Sequence, residues 1–153
     1  MKTNRKSGRF SILGLGAVAI VSMIIASIFL AKEDPSSIGG QFMDALARHD
    51  VAKLTELSYV SSSDPKVADE EKKRLQGEWD FSVNMAGKHY PFMWRITGSN
   101  SSTDTTSSVT VQVTRGGPGG MDEKFELPME KQNGKWFVDV GSISRMMFPA
   151  LPN

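Results

Sequence analysis

An uncharged apolar segment of 22 residues, Phe10–Ala31, constrains this 153-residue chain more than any other feature. As a helix with a rise of about 1.5 Å per residue it would extend about 33 Å, which is enough to cross a hydrocarbon core of about 30 Å. The apolar run of a cleaved signal peptide is only about 7 to 15 residues long and ends at an A-x-A-like site. Here Phe29 stands two places before Ala31. The sequence therefore predicts an uncleaved anchor, with a cleaved signal peptide as the alternative and a mitochondrial presequence as a remote one.

The charges that flank this segment predict its orientation. Residues 1–9 contain four basic side chains and no acidic one, and residues 32–34 read Lys-Glu-Asp. By the positive-inside rule the tail 1–9 is cytoplasmic and the chain after residue 31 lies outside the inner (cytoplasmic) membrane. Within the segment, Ser22 and Ala26 are small residues four apart, a spacing that lets a second helix approach closely. They are candidate partner contacts, and a simple lipid-facing anchor is the alternative.

Composition argues against several classes of function. Cysteine is absent and only two histidines are present, so thiolate metal sites, cysteine nucleophiles and most metal-hydrolase chemistry lack their parts. Residues 32–153 hold 14 basic and 17 acidic side chains, whereas nucleic-acid binding needs a concentrated basic face. We therefore predict no metal, no cofactor, no nucleic acid and no catalytic residues.

Helical periodicity follows a linker over residues 32–37. Between residues 38 and 48 the apolar side chains recur at i, i+3 and i+4, which predicts an amphipathic helix. Ser36 or Ser37 is placed to cap the start of this helix, since a serine hydroxyl can accept a hydrogen bond from an unpaired N–H of the first turn.

Two further helix starts follow along the chain. Asp50 precedes a short apolar-periodic stretch and is expected to cap a second helix. Asp64–Pro65 predicts a third, because proline is favoured at the first helical position, where no backbone N–H is needed. We expect the third helix to end at Gly77, a residue that accepts the left-handed conformation common at helix ends.

From Trp79 onward the apolar residues alternate with polar ones, which is typical of strands with one buried face. The alternation predicts five antiparallel strands, centred on Phe81, Trp94, Val111, Leu127 and Val138. Asn133–Gly134 predicts a tight hairpin, whereas residues 97–108 and the glycine-rich residues 116–120 are expected to be loops between strands. Helices followed by antiparallel strands indicate an α+β fold, with two or three helices packed on one face of a curved sheet of about five strands.

Two stretches carry a resemblance to a known superfamily. Residues 42–50, FMDALARHD, are similar to the opening of NTF2-like (cystatin-like α+β roll) domains, and residues 131–138, KQNGKWFV, are similar to their last hairpin. The resemblance covers residues 36–141 and implies an NTF2-like cone over residues 38–145, of the membrane-anchored DUF4878 type. In architecture alone the chain also resembles single-pass oxidase-assembly and translocase-associated domains.

The superfamily resemblance also implies where a site would lie. NTF2-like enzymes use the interior of the cone, often with an aspartate and a histidine or tyrosine facing an apolar pocket. By that resemblance the candidates for the cavity are Tyr59, His89, Tyr90, Phe92 and Trp94, with Asp139 as a further polar candidate. A catalytic pair needs positioned partners, and Tyr90 and Trp94 share an apolar strand face, which favours a core position for both. The chain is therefore expected not to be an enzyme.

The apolar tail, residues 146–153, suggests a surface for a partner. It contains Met146, Met147, Phe148 and Leu151, although a chain end is usually polar. Either the tail folds back over the domain or it presents an apolar strip to a partner or to the bilayer surface, and under the second alternative its deletion would leave the domain folded. The sequence thus predicts a non-catalytic, single-pass accessory or scaffolding subunit of a membrane complex, for example a respiratory, photosynthetic or translocation assembly. The alternatives are a tethered small-ligand binder and, third, a hydrolase or isomerase.

Overall fold

A computed structural model describes residues 34–87, 91–117 and 119–153. Three helices precede a four-stranded antiparallel sheet, so the predicted α+β order is confirmed. The elements are α1 (Pro35–Arg48), α2 (Val51–Leu57), α3 (Pro65–Ala86), β1 (Phe92–Ser101), β2 (Thr106–Arg115), β3 (Met121–Gln132), β4 (Lys135–Val138) and a short 3-10 helix (Val140–Ser142).

Several predictions concern residues outside these ranges. The basic tail 1–9, the anchor 10–31 with Ser22 and Ala26, and the cavity candidates His89 and Tyr90 all lie outside the described residues. Among the residues that are described, no helix is both long and apolar enough to cross a membrane.

Helix α1 begins earlier than predicted. Its N-cap is Asp34 and its first residue is Pro35, so the expected caps Ser36 and Ser37 lie inside the first turn. The ring of Pro35 fixes φ near the helical value and removes an N–H that would have no partner at this position. The linker therefore ends at Asp34, where α1 begins.

The predicted caps of α2 and α3 are confirmed, but the predicted end of α3 is wrong. The Asp50 carboxylate accepts a backbone N–H three residues on at 3.0 Å, and that of Asp64 accepts one two residues on at 2.9 Å. Helix α3 continues through Gly77 to Ala86 and ends at Gly87, whose φ is 56°. Gly77, where the helix was expected to end, is thus an interior residue of α3.

The prediction of a strand around Phe81 is also wrong, because α3 continues through this segment. In α3 the buried side chains include Leu75, Trp79, Val83 and Ala86, which recur at three- and four-residue spacing along one helical face. Phe81, which the alternating pattern would bury, is instead exposed. This segment therefore belongs to α3, and the sheet has four strands and not five.

The sheet has the simple order β1-β2-β3-β4, with every neighbouring pair antiparallel. The predicted hairpin is confirmed: Asn133 and Gly134 have φ of 52° and 81° and join β3 to β4. The long loop expected over residues 97–108 is wrong, because β1 and β2 both extend into it and leave only residues 102–105 between them. The glycine-rich residues 116–120 do connect two strands, as expected.

The core lies between the helices and one face of the sheet. Helix α1 approaches β2 closely at Gly39, where a Cβ atom would stand 3.0 Å from the side chain of Val109. The other sheet face is polar, and Glu126 on β3 accepts hydrogen bonds from Ser108 and, at 2.8 Å, from Thr110 on β2. The sheet thus has one apolar and one polar face, as the alternation predicted.

Candidate functional site

Large side chains fill the space between the helices and the sheet. Phe42 and Trp79 meet edge to face with ring centroids 5.7 Å apart, and the Trp79 indole Nε1 donates to the Ser58 hydroxyl at 3.1 Å. Trp94 and Phe92, expected to line a cavity, are half-buried and pack against this core. The fully buried set includes Trp79, Phe42, Met43, Leu46, Leu127 and Met129. The interior is therefore occupied by the protein's own side chains.

The apolar tail closes one end of this core. Met147, Phe148 and Leu151 are buried, and the Phe148 ring lies edge-on to the rings of His49 and Phe92, at centroid distances of 6.2 and 6.3 Å. The tail thus folds back over the domain, which was the first of the two alternatives. The expectation that these three side chains form an exposed apolar strip is corrected, because they are packed within the domain.

Two arginines and a serine bind the carbonyl groups of the tail. Arg115 Nη2 donates to the carbonyl of Met146 at 3.1 Å and to that of Met147 at 2.7 Å. Arg145 Nη1 donates to two further carbonyls, those of residues 151 and 152, each at 2.6 Å. The Ser82 hydroxyl on α3 donates to the carbonyl of residue 149 at 2.7 Å. Because the tail belongs to no helix or strand, these donors supply partners for carbonyls that have none from regular secondary structure.

Three exposed methionines surround the same end of the sheet. Met93, Met121 and Met146 have exposed fractions of 59, 78 and 72%. Met121 pairs across the sheet with Arg115, which in turn binds the Met146 carbonyl, and both paired residues lie on the sheet face that the helices cover. Met93 pairs with Thr114, the strand neighbour of Arg115, and therefore points to the opposite, polar face at the same end of the sheet. We call Met93, Met121 and Met146 the methionine rim. Long, flexible, apolar side chains of this kind are over-represented at protein-binding surfaces.

The methionine rim lies at the end of the sheet where the last turn of α1 meets the tail. Near its start α1 contacts Val109 through Gly39, whereas its last residue is followed by His49, which contacts Phe148 of the tail. Helix α1 has 14 residues and at about 1.5 Å per residue is about 21 Å long. The rim therefore lies at the end of the sheet that the last turn of α1 approaches.

A second surface feature is a cleft of about 250 Å³ lined by Tyr59 and Asp139 together with Glu71 and Arg74. Two of the sequence candidates, Tyr59 and Asp139, are thus brought to one place, by the chain after α2 and by the chain after β4. Arg74 is held by Glu78 at 2.7 Å, and the cleft is open and polar. Such a cleft can hold a small polar molecule by hydrogen bonds. Within the described ranges, this cleft included, no group of three or more histidine, aspartate or glutamate side chains is placed to hold a metal ion.

The residues that hold the tail were not predicted from the sequence. Arg115 is the last residue of β2 and Arg145 lies in an irregular segment, and neither position is marked as a tail contact by the sequence pattern. Arg115 also forms an ion pair with Glu123 and lies over the Phe125 ring, 5.3 Å from its centroid. The apolar tail is itself a sequence signal for such donors, because an irregular segment that is buried requires hydrogen-bond donors for its carbonyls.

Comparison with known proteins gives little further guidance. No family model matches the chain, and no curated protein matches it. Among solved structures, the chain is similar to a SEC-C motif containing protein from Rhodopseudomonas palustris, with 19% identity and a TM-score of 0.43 over 69% of this chain and 75% of that one. A likeness at this level carries no argument about function.

Proposed function

We propose that the protein is a non-catalytic accessory or scaffolding subunit, attached to a membrane through residues 10–31, whose α+β domain contacts another membrane protein. The single observation that carries the proposal is the combination of a filled core with the exposed methionine rim. An NTF2-like enzyme or ligand binder requires an open interior, and here that space holds Trp79 and Phe42. The proposal includes an NTF2-like relationship, for which residues 42–50 and 131–138 are the support.

The methionine rim is the proposed contact surface. Its three side chains expose most of their area to water although each is apolar, and burying one such side chain contributes roughly 1.5 to 3 kcal/mol before ordering costs. The tail supports this surface, because Arg115 binds the Met146 carbonyl and Phe148, two residues further on, is packed in the core. In the anchor, Ser22 and Ala26 remain proposed as a second contact, between helices within the bilayer.

Charge substitution in the rim tests this proposal. The full chain, solubilised from its native membrane in mild detergent, is purified as the wild type and as Met121→Glu, Met146→Glu and the double variant. We expect proteins that co-purify with the wild type to be lost from the double variant, because a buried carboxylate at an apolar contact is strongly unfavourable.

Val67→Glu is the matched control. Val67 is an exposed apolar side chain near the start of α3, 15 residues before Ser82, which binds the tail, hence about 22 Å away along the helix. This variant is expected to retain the same co-purifying proteins. If the rim variants retain them too, or if Val67→Glu loses them equally, the rim is not the contact surface.

The convergence of Tyr59 and Asp139 favours a second candidate function, the binding of a small polar molecule in their cleft. Ligand screening by NMR on the wild type and on Asp139→Asn distinguishes it. Chemical-shift changes that a polar ligand causes at the cleft in the wild type but not in Asp139→Asn would favour the ligand-binding function. If Asp139→Asn loses these changes but keeps the co-purifying proteins, ligand binding is separate from the scaffold contact.

A further inference from the structure

The outer face of α3 carries exposed apolar side chains away from the core. Phe81 and Met85 are four residues apart, so they lie on adjacent turns of one helical face, and their exposed fractions are 59 and 62%. The opposite face, with Trp79 and Val83, is buried. Neither Phe81 nor Met85 belongs to the methionine rim, so the rim contact does not explain their exposure.

Gly77 lies one turn before Phe81 on the same face. Glycine disfavours a helix relative to alanine, and inside a domain it is usually explained by close packing or by a positive φ. Neither applies here, since a Cβ atom at Gly77 would meet nothing within 4 Å and the residue has an ordinary helical conformation. The remaining use of a glycine on a helix surface is to let a second backbone approach closely.

The charges around Gly77 complement one another under two-fold symmetry. Lys73 lies four residues before Gly77 and Asp80 three residues after it, and both are exposed. The two are seven residues apart, about 10 Å along the helix, so they do not pair within one chain. If two copies of α3 cross in antiparallel fashion at Gly77, Lys73 of each lies near Asp80 of the other. The same crossing sets Arg74 near the ring of Phe81, a favourable cation–π arrangement.

We propose that the outer face of α3 around Gly77 binds a second copy of this chain through a two-fold symmetric contact. A surface that is self-complementary about an axis is what a symmetric dimer requires, whereas a contact with a different protein has no need of it. A hollow of about 450 Å³ between α3 and the tail, lined by Gly77, Phe81 and Pro152, provides room beside the crossing point. This inference goes beyond the proposed function, because its partner is a second copy and not another membrane protein.

Disulfide cross-linking tests the contact directly, because the chain contains no cysteine. Full-length Gly77→Cys is compared with Lys72→Cys, an exposed position on the same helix but away from the outer face, in native membranes under mild oxidation. A disulfide requires Cα atoms within about 4.4 to 6.8 Å, which the proposed crossing supplies only at residue 77. We expect a reducible dimer joined through residue 77, with a yield at least about five times that of Lys72→Cys.

Substitution of the charged residues Lys73 and Asp80 provides the second part of the cross-linking test. In the Gly77→Cys background, Lys73→Glu and Asp80→Lys are each expected to lower the dimer yield about 5-fold, since each replaces two symmetry-related attractions by repulsions. The double variant restores the complementarity and should restore the yield. Equal yields at residues 72 and 77, no dimer from folded Gly77→Cys, or a double variant that stays as weak as the single ones would each overturn the proposal. These outcomes do not depend on the co-purification result, so the two proposals fail separately.

Discussion

Replacing Phe148 by alanine tests the packing of the tail most sharply. The Phe148 side chain is 1% exposed and contacts the rings of His49 and Phe92. Truncating a buried phenylalanine costs about 3 to 5 kcal/mol, because the transferred area is lost and the cavity closes only in part. A domain of this size is stable by only about 5 to 15 kcal/mol, so the substitution should remove a large fraction of its stability.

Urea unfolding of the full chain in a nonionic detergent measures this effect, with the fluorescence of Trp79, Trp94 and Trp136 as the signal. With a urea dependence of about 1 to 3 kcal/mol per molar, a loss of about 4 kcal/mol lowers the midpoint by roughly 2 M. Met146→Ala is the control, because this neighbouring side chain is exposed and its truncation should cost less than about 0.5 kcal/mol. A cost below about 1 kcal/mol for Phe148→Ala, or equal costs at both positions, would refute the buried tail.

Deletion of residues 146–153 tests the tail as a whole. On the alternative that the tail is an exposed strip, the sequence predicts that the domain stays folded without it. Deletion instead removes four buried side chains, those of residues 147, 148, 151 and 152, and leaves donors of Arg115 and Arg145 without the tail carbonyls that they bind. We therefore expect the truncated chain to be largely unfolded.

Three further predictions follow from the core and from the charges around residues 10–31. Phe42→Ala and Trp136→Ala should each cost about 3 to 5 kcal/mol by urea unfolding, since both side chains are buried in one core, and costs below about 1 kcal/mol would contradict that packing. Ser58→Ala should cost about 1 to 3 kcal/mol, because it leaves the buried Trp79 N–H without its acceptor; a thermal melt identical to that of the wild type would count against this bond. Protease added outside spheroplasts should digest the α+β domain, and its protection would contradict the predicted orientation.

The sequence was most informative where a local rule decides the structure. The caps Asp50 and Asp64 and the Asn133–Gly134 hairpin each depend on residues within one turn of the chain, and all three are confirmed. Local rules failed where packing decides. The segment around Phe81 alternates like a strand, but the helix buries Trp79 and Val83 with Leu75 and Ala86, and this larger apolar set prevails.

The candidate site was predictable only in part. The apolar character of Met146 and Phe148 was visible in the sequence, but which of them is buried depends on contacts with His49 and Phe92, distant along the chain. In the structure the two side chains differ in exposure: Phe148 is buried and closes the core, whereas Met146 is exposed. Met121 was not singled out from the sequence, because its significance comes from its pairing across the sheet with Arg115, which binds Met146.

Site-specific photo-crosslinking tests the central claim, that the methionine rim contacts another membrane protein. A photoreactive amino acid is placed at position 121 or, as a control, at position 67, and intact cells are irradiated before the products are separated and identified by mass. The proposed function predicts one discrete membrane-protein adduct from position 121 that is absent from position 67 and that weakens when Met146→Glu is added. No adduct from position 121, or the same adducts from both positions, would contradict it.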